Sequence, residues 1–291
     1  MKPSVTLVVP VYNEAASLPT TMPIFVDYCQ RTHRKLVVVN DGSKDGTKKI
    51  LSTYDKHDGV TILHHKVNRG YGSAIKTGIA HTDTEFVVTV DADGQHQLAD
   101  IDALYEVCIQ EDADMVVGNR GTQRSSLYRE IGKWLIRKLL LLLLPIPIHD
   151  VNSGMKLYRT QLAQRYASLC PNSMAFSDVI TLIFIHEGHV VKEHPITVRK
   201  RLAGESTITA RTAFDTVLEI INIIVLFNPM RIFLPISLVS FLAGVLWGLP
   251  IILQGRGVSI GSMLGITTGI ICFFLGLISE QLSLIRKSKT D

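Results

Sequence analysis

The sequence predicts an α/β protein, a mostly parallel sheet wrapped by helices, followed by two membrane-crossing helices joined as a hairpin. Three observations predict it. Short β-branched runs alternate with helix-length segments from Val5 to Val117, the pattern of a sheet covered by helices. Polar clusters follow the first, second and fourth of those runs. Two long apolar stretches close the chain, with basic residues at their outer ends.

The strands are read at Val5–Val9, Leu36–Val39, Thr61–Leu63, Phe86–Val90 and Met115–Val117, each short, rich in Val, Thr and Ile and bounded by polar or Gly-containing turns. Between them Ala15–Arg31, Thr47–Lys56, Gly72–His81 and residues 101–110 are long enough for helices. Gly42 and Gly46 permit tight turns, Asp45 can cap the helix that follows it, and glycines at 70 and 72 let backbone approach a ligand. Beyond Arg120 the pattern loosens. Leu135–Leu144 is very apolar but stops at Pro145, too short to span; it reads as a core helix or a segment dipping into the interface. Ala213–Phe227 is apolar over most of a helical face and reads as an in-plane juxtamembrane helix.

Residues 232–253 and 259–285 are read as membrane spans, each exceeding the ~20 residues that cross ~30 Å of hydrocarbon. The first contains no charge; the second holds Glu280 near its end, read as interfacial. The expected organisation is therefore an α/β domain over 1–210, a juxtamembrane helix over 211–231 and a hairpin over 232–291 with a short basic tail. Arg199, Lys200, Arg201, Arg211 and Arg231 precede the apolar tail, Arg286, Lys287 and Lys289 follow it, and the turn carries only Arg256. That asymmetry places both ends and the α/β domain in the cytoplasm, at the plasma membrane if the source is prokaryotic. The N-terminus lacks the apolar stretch of a signal peptide.

Composition excludes several classes. A formal charge of +4 without a basic stripe and interleaved aromatics argues against nucleic acid. Cys29, Cys108, Cys170 and Cys272 stand far apart with no C-x-x-C pair, so neither a disulfide framework nor a zinc site is expected. His64 and His65 point to opposite faces of a strand and read as ordinary. His96, beside an acidic turn, is the histidine that could contact a donor.

In such a sheet ligands bind beyond the carboxyl ends of the strands, where strand order reverses. Tyr12-Asn13-Glu14, Asn40-Asp41-Gly42 and Asp91-Ala92-Asp93 all fall there. Two carboxylates at i and i+2, as a strand ends, can converge on one divalent cation. Oxygen ligands suit Mg²⁺ or Mn²⁺, which would also bind a substrate diphosphate and neutralise charge building on a leaving group.

Val9-Pro10-Val11-Tyr12-Asn13-Glu14, Asn40–Thr47, Asn68-Arg69-Gly70-Tyr71-Gly72 through Gly78, and Asp91–Gln95 occur in that order. Together they resemble the family 2 glycosyltransferases with the GT-A fold, over roughly residues 4–206. Within that family the chain is most similar to dolichol-phosphate mannose synthases and bacterial polyprenyl-phosphate glycosyltransferases, some of which carry a hairpin tail. The resemblance implies that Pro10, Tyr12, Asn13 and Glu14 pack around the nucleotide and that Asp41 contacts base or ribose. It implies that Asp91, Asp93 and Gln95 hold the metal and diphosphate, with Lys76 near the donor. Asp150–Arg159 resembles the acceptor-side motif, with Met155-Lys156 where the subgroup often has Phe-Arg; a cation is kept but the fork of Arg is lost. Arg120, Arg129 and Ser153 are then assigned to the polyprenyl phosphate. Asp178 falls at a helix start as base or orienting group, and Arg201 lies in a basic loop before the membrane.

The implied reaction is metal-dependent, inverting transfer of a sugar from a UDP- or GDP-sugar to a polyprenyl phosphate. Another membrane lipid or a glycan is the alternative acceptor. A processive polymerase is disfavoured, because Gln-x-x-Arg-Trp is missing and two spans cannot enclose an export channel. The implied partners are the nucleotide sugar, the lipid phosphate and the bilayer, with room for a homo-oligomer formed through the transmembrane helices.

Overall fold

The computed structural model describes residues 5–121, 147–198 and 229–288. The chain divides into two compact units, Met1–Thr207 and Ile208–Asp291.

The first unit is built on a seven-stranded sheet. Its elements are β1 (Val5–Val11), α1 (Leu18–Thr32), β2 (Lys35–Asn40), α2 (Thr47–Leu51), β3 (Val60–His64), α3 (Tyr71–Ala80), β4 (Phe86–Thr89), α4 (Ala99–Gln110), β5 (Met115–Asn119), β6 (Lys156–Arg159), α5 (Thr160–Ala167), α6 (Phe176–His186) and β7 (Val191–Pro195). The strand order is β3-β2-β1-β4-β6-β5-β7. Every pairing is parallel except those of β6, which runs antiparallel to both β4 and β5. Helices on both faces leave the central strands no wet side, so β1 and β4 are buried at every residue and read as unbroken Val-rich runs.

Order reverses between β1 and β4: chain leaving β1 goes outward to β2 and β3, and the later strands add on the other side. This is the crevice where α/β sheets take ligands. Because β6 runs against its neighbours, its beginning lies at the same edge as the ends of β4 and β5. Thr89 pairs with Lys156, and Val117 with Lys156 from the other side.

The five strands read from sequence are all present; four are longer by two residues, and the one read at Phe86–Val90 closes a residue early, at Thr89. α1 starts at Leu18 rather than Ala15, because Ser17 N and Leu18 N both donate to Glu14 O and turn the chain first; Pro19, which has no N–H to satisfy, falls in the first helical turn. α2 closes at Leu51 and passes into a 3₁₀ turn, Ser52–Tyr54, instead of continuing to Lys56. The N-cap is Gly46, and Asp45, one residue earlier, accepts from Thr47 N at 3.0 Å. The cysteines are free, with Cys29, Cys108 and Cys170 buried. Leu135–Leu144, Arg129 and Arg201, and the Ala213–Phe227 segment, lie outside the described residues.

The second unit contains α7 (Met230–Leu253) and α8 (Ile260–Ser288). Met230–Leu253 and Ile260–Ile285 are both long and apolar enough to cross a membrane. Small residues let the two backbones touch, the packing expected where lipid removes the hydrophobic drive between helices. A Cβ on Gly265 would sit 3.0 Å from Gly244 Cα. Ser237 Oγ donates to Gly269 O at 2.8 Å and Ser262 Oγ to Gly244 O at 2.6 Å, while Leu246 and Trp247 point outward. Glu280 has one carboxyl oxygen buried without a hydrogen-bond partner among the described residues.

Candidate active site

Asp91 leaves the end of β4 at the reversal point. Its carboxyl is 34% exposed and is gripped from two directions. Tyr71 Oη donates to Oδ1 at 3.0 Å, and His96 Nε2 stands 3.6 Å from Oδ2 with a side chain only 5% exposed. Burial opposes ionisation of Asp91, but His96, the Tyr71 hydroxyl and the Arg120 cation outweigh it and hold the carboxyl below its ordinary range. Desolvation and then the Asp91 charge push the Tyr71 phenol far the other way, so it keeps its proton and donates. A third wall is Gly154, where an added Cβ would stand 2.9 Å from Asp91 Cγ and collide with Oδ2.

Asp93 is 7% exposed and its Oδ1 accepts from Gln95 N at 3.1 Å. Among the described residues no three His, Cys, Asp or Glu side chains form a metal cluster by themselves. Asp91, Asp93 and the Gln95 amide oxygen nevertheless form a hard-oxygen set on one turn. That set fits Mg²⁺ or Mn²⁺, which keeps few protein ligands and completes its shell with phosphate and water. His96 Nδ1, two bonds round the ring from Nε2, is buried with no partner among the described residues. His96 also bridges to Val198 in antiparallel fashion, and Thr197 N donates to Asp100 at 3.0 Å. The chain therefore runs past the acidic turn immediately before Arg199.

Arg120, expected at the acceptor phosphate, follows β5. It grips Asp150 with both arms, Nε at 2.8 Å and Nη2 at 2.9 Å, and Nη2 also reaches Asn152 O at 2.9 Å. The hydrogen bonds of that pair raise Arg120 further, with Asp91 and Asp178 adding to the effect. Asp150 is held low by Arg120 against its own burial. Arg120, Asp91, Asp150 and Asp178 thus share one electrostatic neighbourhood.

Lys156 explains why a cation suffices where Arg was expected. Its side chain is wholly buried, and the three protons of Nζ are shared among four acceptors: Ser177 O, Ser177 Oγ at 2.7 Å, Thr181 Oγ1 at 2.7 Å and Val151 O at 2.6 Å. Both hydroxyls spend their own protons elsewhere, on Ser153 O and Ser177 O, and so face the amine as acceptors. Burial pushes the amine down to about 7, against the pull of Asp178 and Asp150. Lys156 ties the first turn of α6, and hence Asp178, to the 151–154 loop.

Several residues expected at ligands are turned to holding loops. Ser153, assigned to the lipid phosphate, is fully buried and donates to Met155 O at 3.4 Å, which leaves its hydroxyl no outward face. Pro10 is buried inside β1 opposite Val39. Asn13 and Glu14 lace the first loop to the second: Asn13 N to Ser43 Oγ at 2.9 Å, Lys44 N to Asn13 Oδ1 at 2.9 Å and Glu14 N to Thr47 Oγ1 at 2.9 Å. Of that motif Tyr12 stands out, 43% exposed. Lys76 donates to Cys170 O and, at 2.9 Å, to Asn172 Oδ1, so it staples α3 to the 170–172 segment. Gly70 and Gly72 serve the same packing: a Cβ on Gly70 would strike Asn172 O, and one on Gly72 would lie 2.9 Å from Ser173 O. Their close approach is to the backbone of the 171–173 segment.

Asp41 is 2% exposed. Its Oδ1 receives His65 Nδ1 at 2.7 Å and Arg69 N at 2.9 Å, and Oδ2 receives Gly70 N at 2.8 Å. His64 turns the other way, to Asn40 at 3.1 Å, as the strand alternation required. Tyr71, His96 and Gly154 were invisible as a set, because their meeting at Asp91 is a tertiary event; only the chain position of His96, beside the acidic turn, gave a signal.

A mostly parallel sheet whose order reverses beside a half-buried acidic turn is the GT-A arrangement. A glucosyl-3-phosphoglycerate synthase from Mycobacterium tuberculosis, solved with Mn²⁺, UDP and phosphoglyceric acid, shares it with a TM-score of 0.60 at 16% identity, over 77% of this chain and 79% of that one. The description of glycosyl transferase family 2 matches residues 6–167, and that of the GtrB C-terminal hairpin matches residues 228–285. The chain belongs to glycosyl transferase family 2. Among its relatives, an undecaprenyl-phosphate 4-deoxy-4-formamido-L-arabinose transferase of Pseudomonas paraeruginosa is 26% identical over 249 residues, covering 84% of this chain and 72% of the relative. The polyprenol monophosphomannose synthase of Mycolicibacterium smegmatis is 27% identical over 235 residues, covering 74% and 84%.

Proposed function

We propose that this glycosyltransferase moves a sugar from a UDP- or GDP-sugar to a polyprenyl phosphate, with inversion, at the cytoplasmic face of a membrane. The observation that carries the reading is that one loop, 150–154, touches Arg120 through Asp150 and Asn152 O and walls Asp91 through Gly154, in a chain that also carries a hairpin of membrane-spanning length. The names of the relatives above support the lipid-phosphate acceptor.

In this reading Asp91, Asp93 and Gln95 would hold Mg²⁺ or Mn²⁺, and the ion would supply positive charge to the departing diphosphate. The exposed Tyr12 ring offers the nucleoside a surface, and Asp41 shapes the floor beneath it. Arg120, with Arg129 and Arg201 of the flanking segments, supplies cations to the phosphates of acceptor and donor. An oxygen of the acceptor phosphate gives its electron pair to the anomeric carbon as the bond from that carbon to the diphosphate breaks, the pair leaving on the diphosphate. A phosphate is already anionic near neutral pH, so Asp178 orients the acceptor more than it removes a proton. Positioning and charge neutralisation supply most of the rate.

The basic residues outside both spans, with Arg256 alone in the turn, support a cytoplasmic catalytic unit. The test is transfer by the purified full-length chain, with Mg²⁺ or Mn²⁺, from a panel of UDP- and GDP-sugars. Labelled undecaprenyl or dolichyl phosphate is the expected product. Labelling of a diacylglycerol lipid or a glycan, with neither polyprenyl phosphate labelled, would sink the proposal.

A further inference from the structure

We propose that Tyr71 is a positioning residue for the Asp91 carboxylate, and that Asp41 sets it in place through the turn before α3. The proposal rests on the metal-site reading above and goes one step further, to the group that aims the ligand.

The chain of contacts is continuous. Asp41 directly follows β2 and is almost wholly buried. It spends its carboxylate on His65 and on the backbone N–H groups of Arg69 and Gly70. His65 is anchored in turn by Thr77 Oγ1 at 2.9 Å, one and a half turns into α3. The next residue after Gly70 is Tyr71, whose hydroxyl reaches Asp91 Oδ1 at 3.0 Å. The other face of the turn is clamped by the 171–173 segment, which accepts Gly72 N through Asn172 O at 2.9 Å. The phenol is thus fixed at its root from two sides and has one acceptor at its tip.

The geometry gives Tyr71 a task separate from folding. Its hydroxyl takes one lone pair of Oδ1, leaving the remaining lone pairs of the carboxylate directed by the Tyr71 and His96 contacts. Groups that orient a ligating carboxylate in this manner cost about 10- to 100-fold in metal affinity when removed. The residue that touches the ion is Asp91; Tyr71 acts through it.

The experiment measures Mn²⁺ binding to the full-length chain in detergent by the paramagnetic resonance of free Mn²⁺, with UDP and with GDP, and nucleotide affinity without metal. Wild type and Tyr71→Phe are compared, together with p-aminophenylalanine introduced at position 71 to restore an N–H donor. The expected result is a loss of about 10- to 100-fold in Mn²⁺ affinity for Tyr71→Phe, unchanged metal-free nucleotide affinity, and recovery with the amino variant. Mn²⁺ affinity equal to wild type in Tyr71→Phe overturns the proposal while leaving the metal site standing. Equal loss of metal-free nucleotide binding overturns it too, since Tyr71 would then be holding the fold. A wild type that binds neither nucleotide more tightly with Mn²⁺ removes the metal-site reading itself, and this proposal with it.

Discussion

Replacing Gly154 by Ala tests whether the placement of Asp91 governs catalysis. The new Cβ would lie 2.9 Å from Asp91 Cγ and 3.2 Å from Oδ1, where carbon–carbon contacts prefer about 3.5–4.0 Å. Gly154 cannot retreat easily, because its carbonyl accepts Thr89 Oγ1 at 2.9 Å and the next residues pair into β6. The carboxyl must therefore move by about 1 Å, enough to break the 3.0 Å bond from Tyr71. A misplacement of that size at a reacting centre costs about 100-fold in rate, and the overpacking itself about 1–3 kcal/mol. The assay is kcat/KM for sugar transfer with whichever donor the wild type turns over, alongside the thermal midpoint. Wild-type kcat/KM in Gly154→Ala would refute the reasoning, because the collision is with the very group held to be essential.

Two further expectations concern regions away from the acidic turn. The Lys156 amine titrates near 7 when folded and near ~10.4 when free. Its unfolded state therefore binds more protons between those limits, and folding stability rises with pH there. The wild type should gain on Lys156→Met by about 1.4 kcal/mol per pH unit from about pH 7 to 10; thermal midpoints that stay parallel across that range would show the amine is not so perturbed. In the hairpin, a Cβ on Gly269 would meet Ser237 O at 2.8 Å and Phe241 Cβ at 2.9 Å. Gly269→Leu should therefore lower the melting point followed by Trp247 fluorescence, by overpacking worth about 1–3 kcal/mol. Leu246→Val on the outward face should leave it unchanged, and equal melting of the two variants would contradict the packing.

The parallel half of the sheet was legible because burial on both faces leaves an unmistakable signature, as in Val5–Val11 and Lys35–Asn40. β6 was not: it is four residues long and begins with a lysine, and nothing local says that the cation will be wrapped in oxygens. β7, Val-Lys-Glu-His-Pro, is equally polar. At the site the acidic pair was legible from its spacing at a strand exit. The motif around Pro10, Asn13, Glu14, Asp41 and Lys76 was legible as a motif, but not as labour divided between ligand and scaffold. Residues that lace two loops together recur in sequence as regularly as residues that touch a substrate, and only coordinates separate them. For the same reason the glycines at 70 and 72 were legible as close approaches, but not their neighbour in the 171–173 segment.

The reversed direction of β6 has a consequence for recombining such enzymes. Because that strand enters where β4 leaves, the loop leading into it forms one wall around the acid on its neighbour. A graft that exchanges residues 147–155 would drive a foreign side chain against the Asp91 carboxyl unless a glycine stays at 154. Chimeras should be spliced outside this strand pair, with both partners taken from one parent.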